Sequence, residues 1–104
     1  MKKINPTEAI GGLLDEVNAA QELDIELHPF FSSVAYPANS VDLRFRLHQK
    51  QANPDRILDL LVSPLGFDST GHLDEATRTR IKAEVASFWG EKSAAPRTFV
   101  VATV

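Results

Sequence analysis

Two stretches of the chain alternate apolar and polar residues with a period of two, and their polar faces carry opposite charge. Leu23-Asp24-Ile25-Glu26-Leu27-His28 sets apolar side chains against acidic ones; Val41-Asp42-Leu43-Arg44-Phe45-Arg46-Leu47-His48 sets them mostly against arginines. Successive side chains of a strand point to opposite faces, so each segment has one core face and one wet face. An apolar sheet face needs a cover, and helices with apolar stripes supply one. Laid antiparallel, the strands can place Leu27 opposite Leu43, Ile25 opposite Phe45, Glu26 opposite Arg44, Asp24 opposite Arg46 and His28 opposite Asp42. Opposite charges directly across a sheet stabilise it by about 0.2–1 kcal/mol per pair. In the other arrangement Phe31–Tyr36 forms a third short strand, turned onto Val41 by Pro37-Ala38-Asn39-Ser40, and that direct pairing fails.

The remaining elements follow from start and stop signals. Asn5 can cap a helix, Pro6 suits its first position and Glu8 completes a capping box. Ile10, Leu13, Leu14 and Val17 then line one helical face, and the helix is expected to end near Glu22. Gly11-Gly12 reads either as close approach to the sheet or as fraying. Asn53-Pro54 with Asp55 predicts a second helix, carrying Ile57, Leu58 and Leu61 and stopped at Ser63-Pro64. A third helix is expected from about Leu73 to Trp89, with i,i+4 pairs Asp74/Arg78 and Arg80/Glu84. Thr98 to Val104 reads as a strand apolar on both faces, hence central or well covered. The expectation is one α+β domain over residues 1–104. It has an open, mainly antiparallel sheet of three or four strands with helices packed on one face, in the order α-β-β-α-α-β.

Size and composition narrow the function classes. A chain of 104 residues with 43% hydrophobic and 24% charged content is globular in type. It contains no cysteine, which removes disulfides, thiolate nucleophiles and zinc–thiolate sites. No apolar run approaches the roughly 20 residues of a membrane span. Lys2 and Lys3 precede no apolar stretch, so no signal peptide is read and a cytoplasmic location is expected. The net charge of −3 is spread along the chain, with no basic patch to attract nucleic acid.

His28, His48 and His72 lie at no metal-ligand spacing, so neither a metal nor a cofactor is expected. The enzymatic alternative, a small hydrolase or isomerase, uses His28 oriented by Asp42 across the hairpin. A second alternative starts from the loop Gly66–Gly71, placed between two helices, with Arg78, Arg80 and Lys82 beyond it. The element order resembles that of type II KH domains, RNA-binding α+β modules whose G-x-x-G clamp lies between the central helices. The resemblance implies contact with a nucleic-acid backbone through this loop, in which four residues separate the glycines.

The leading expectation is a non-enzymatic, protein-binding domain with no catalytic residues. An aromatic connection, Pro29 to Pro37, joins the polar-faced strands, where connections ordinarily carry polar residues over the surface. Folded back it adds to the core; exposed, it is an apolar patch of the kind that marks a partner surface. Phe30, Phe31, Val34 and Tyr36, with Asp24 and Glu26 at the acidic outer edge, are the expected contact residues. The partner is another protein, or a second copy of the chain in a homodimer.

Overall fold

A computed structural model describes residues 3–28, the backbone of 34–35, and residues 42–50, 56–91 and 96–101. The elements are helix α1 (Pro6–Gln21), strands β1 (Ile25–Leu27), β2 (Val34–Ala35), β3 (Leu43–Gln49) and β4 (Leu58–Val62), a 3-10 turn (Pro64–Gly66), helix α2 (Glu75–Gly90) and strand β5 (Arg97–Val101). The fold is α+β, an open mixed sheet with both helices on one face. Its order is β1-β3-β4-β5, and β2 pairs with β3 as well. The β4–β5 pairing is parallel and the others are antiparallel.

α1 starts as its sequence dictates. Asn5 accepts from the Glu8 N–H (2.8 Å), and Glu8 returns the bond to the Asn5 N–H (3.3 Å). Glu22 closes the helix in the left-handed region at φ 54°. Ile10, Leu13, Leu14 and Val17 form its buried face. α2 starts two residues later than expected, because Asp74 caps it by accepting from the Thr77 N–H at 2.8 Å. That use of Asp74 leaves Arg78 to pair with Glu16 of α1.

The largest correction concerns residues 58–62; Asn53, Pro54 and Asp55, the expected helix start, lie outside the described residues. Instead of the second helix expected there, Leu58–Val62 is a strand between β3 and β5. Leu58, Leu60 and Val62 face the helices and are fully buried, while Asp59 and Leu61 point the other way. A short apolar run fits a buried helix and a buried strand equally well by periodicity. Here two neighbouring strands hydrogen-bond it along both edges.

The core is the face shared by Ile25, Phe45, Leu47, Leu58, Leu60, Val62 and Val101 with the apolar faces of α1 and α2. Among the described residues β5 is at the border of the sheet, not its centre, and Val100 is 60% exposed. The expected strand segment beyond Val101 lies outside the described residues. Gly11 and Gly12 are not pressed against the sheet: a Cβ at either would meet nothing within 4 Å. Gly12 instead borders a cleft of about 320 Å³ with Glu16, His72 and Arg78.

Candidate functional site

Strand register decides which candidate residues meet. β1 runs antiparallel to β3 with Ile25 opposite Gln49, Glu26 opposite His48 and Leu27 opposite Leu47. This is four residues away from the register that charge pairing suggested. Glu26 therefore meets His48, with Oε1 to Nε2 at 3.1 Å, and not Arg44. The space along β3 that this shift vacates is taken by β2, whose Val34 lies opposite Arg44 and Ala35 opposite Leu43. The third short strand thus exists, over two residues, and the direct pairing gives way to it as its presence required.

Asp24, just ahead of β1, is held in place. The Asp24 carbonyl accepts from the Lys50 N–H at 3.1 Å, and its Oδ1 accepts from Gln49 Nε2 at 3.3 Å. Asn18 of α1 locks the strand from the helix side. Its Nδ2 donates to the Ile25 carbonyl (2.8 Å), and its Oδ1 accepts from the Ile25 N–H (2.9 Å). Phe30, Phe31 and Tyr36 lie outside the described residues, and Val34 is defined by its backbone.

The acid–base pair does not form across the hairpin as expected. The His28 N–H donates to the Arg46 carbonyl at 2.7 Å, so Arg46 and not Asp42 stands opposite His28. The His28 ring lies beside that of His48, with centroids 5.2 Å apart. Asp59 gathers the arginines instead. It accepts from Arg46 Nε at 2.8 Å and Nη2 at 3.0 Å, and from Arg44 Nη2 at 3.1 Å. Burial pushes the Asp59 carboxyl up, but hydrogen bonds and charge from Arg46 and then Arg44 together outweigh it, leaving it below the usual carboxylate range. Sequence alone does not single out Asp59, because its segment reads as helix. A single carboxylate in the apolar run 57–62, beside a strand with two outward arginines, is the signal that could have found it. Among the described residues no group of three or more His, Asp or Glu side chains could hold a metal ion.

The loop at Gly66–Gly71 connects a strand to a helix, not two helices, so the succession behind the KH resemblance is not the one observed. Its amides are occupied by its own carboxylate. Asp68 Oδ1 accepts from the Thr70 N–H (2.8 Å), the Thr70 hydroxyl (2.6 Å) and the His72 N–H (3.1 Å), and the Asp68 carbonyl accepts from the Gly71 N–H (3.0 Å). These bonds, those from Thr70 first, hold the Asp68 carboxyl below its usual range. A phosphate would have to displace an anion already seated there. Gly71 is required by φ 88°, and because a Cβ would overlap the Ile4 carbonyl. Of the basic residues beyond the loop, Arg78 and Lys82 pair with Glu16.

No protein-family model, curated protein or solved structure matches the chain. Among the described residues no helix is long and apolar enough to cross a membrane.

Proposed function

We propose that the chain is a non-enzymatic protein-binding domain that recognises another protein through the β1/β2 edge of its sheet. One observation carries this reading: β1 and β2 both pair with the same side of β3, so Asp24, Glu26 and the backbone of Val34 share one border. The aromatic residues Phe30, Phe31 and Tyr36 belong to the segments on either side of β2. Aromatic anchors flanked by fixed charges are the usual make-up of an interface, with anchors setting affinity and rim charges setting association rate. Asp24 and Glu26 suit a partner with a basic rim. The Gln49 side chain holds Asp24 in position before binding, and Glu26 lies beside the His48 ring.

The test is a photo-crosslinking residue at position 26, compared with one at Leu65, which is 82% exposed and outside the sheet. The expected result is a discrete adduct with another protein from position 26 and none from 65. Phe31→Ser/Tyr36→Glu should abolish it with the melting temperature retained. No adduct at 26, or one unchanged in a folded double variant, would overturn the reading.

A further inference from the structure

The opposite border of the sheet presents a hydrogen-bonding pattern that complements itself. β5 pairs with β4, and among the described residues no strand pairs its outer side. The Arg97 N–H donates to the Ile57 carbonyl at 3.0 Å. Strand residues alternate in the direction of their main-chain groups, so Arg97, Phe99 and Val101 bond to β4 while Thr98 and Val100 turn their N–H and C=O outward. Thr98 is exposed, as is Val100 at 60%. Natural edge strands are blunted by charged side chains, proline or a bulge. Thr98-Phe99-Val100-Val101 has no charge or proline and consists of strong β formers. The one charge on the strand, Arg97, is drawn to α2 by Glu84 (3.1 Å) and Glu91 (2.8 Å).

We propose that a second copy of this chain pairs with it, β5 against β5, antiparallel about a two-fold axis at Phe99. The sheet then runs unbroken through both copies. The alternation selects the register. Thr98 lies opposite Val100 of the partner subunit, and Val100 opposite Thr98 of the partner subunit. Both pairs exchange both of their N–H···O bonds, because all these residues face outward. A shift one way sets Val100 against Pro96 of the partner subunit, which has no N–H to give. A shift the other way leaves Val100 against Val100 of the partner subunit and carries Thr98 past Val101. So short an edge buries less than the roughly 1,600 Å² of a standard interface, which makes the dimer reversible and concentration-dependent. The inference uses the border opposite β1/β2 and does not rest on the function proposed above.

Because the chain has no cysteine, single cysteine variants report the register directly. Hydrogen-bonded antiparallel partners have Cα atoms about 5.5 Å apart, within disulfide reach. A mixture of Thr98→Cys and Val100→Cys, oxidised with diamide, should give the mixed disulfide dimer. Either variant alone should stay largely unlinked, since like residues are offset by two positions and lie beyond about 7 Å. Sedimentation equilibrium of the unmodified chain should show reversible dimerisation. Val100→Lys should abolish it, leaving the melting temperature of the dilute chain and crosslinking from position 26 unchanged. A chain still monomeric at about 1 mM, where pairing would be worth less than about 4 kcal/mol, overturns the proposal. So do disulfides forming as readily in the single-variant solutions, or a Val100→Lys chain that still dimerises.

Discussion

At one border of the sheet β3 is met by two short strands, Ile25–Leu27 and Val34–Ala35, with Glu26 and His48 paired beside them. At the other, β5 offers an unbroken run with Thr98 and Val100 turned outward. Each border is fastened to its own helix, by Asn18 of α1 on the Ile25 backbone and by Arg97 on Glu84 of α2 and on Glu91, which caps that helix. Charge blunts the first border, at Asp24 and Glu26, whereas the second has the composition of an internal strand. The difference teaches that a strand's place in a sheet cannot be judged from its hydrophobicity: β5 reads as central or well covered and, among the described residues, stands at the edge.

Removing what the two borders share should give the largest effect. Phe45 is fully buried in β3, and Phe45→Ala should cost about 3–5 kcal/mol. Urea unfolding should show it, with amide protection falling at both borders together. Asn18→Ala strikes one border alone. It leaves the main-chain groups of buried Ile25 without their side-chain partners, at about 1–3 kcal/mol. Hydrogen exchange at Ile25 should accelerate more than at Phe99; equal acceleration would mean that the borders do not open independently.

Asp59 couples the strands between the borders, and pH reads its contribution. Its folded-state carboxyl is lowered, so its stabilisation is fully present above the unfolded value of about 3.9 and is lost as pH falls through the lower folded one. Asp59→Asn should be less stable than the parent at pH 6, and the gap in urea midpoint should narrow progressively as pH falls below about 4. A gap that does not narrow at all with falling pH would assign the loss to packing. The smallest effects belong to the rim. Glu26→Gln should change stability by less than about 1 kcal/mol, as exposed pairs do. By melting temperature the dilute Val100→Lys chain should stay within about 0.5 kcal/mol. Against that background, any change in association reports an interface.

Local signals were legible where one element answered to one pattern. Asn5, Pro6 and Glu8 start α1 as written, and the alternation of Leu43, Phe45 and Leu47 sets the core side of β3. The site was less legible. Asp24 and Glu26 do lie at an outer strand, but their partners come from the register, and β strands accept any even shift that keeps apolar residues inward. Glu26 against Arg44 and Glu26 against His48 both keep the apolar faces inward, so the local pattern does not choose between them. His28 lost Asp42 as its cross-strand neighbour for the same reason.

By itself, then, the sequence determined the capped first helix, the faces of the alternating strands and the helix-backed α+β class, because these depend on neighbours within a turn or a pleat. Tertiary structure alone decided that Leu58–Val62 is a strand, that β1 slides four residues along β3 to admit β2, and that β5 lies at the border. In each case the deciding hydrogen-bond partners are distant in the chain, and nothing in the local pattern names them.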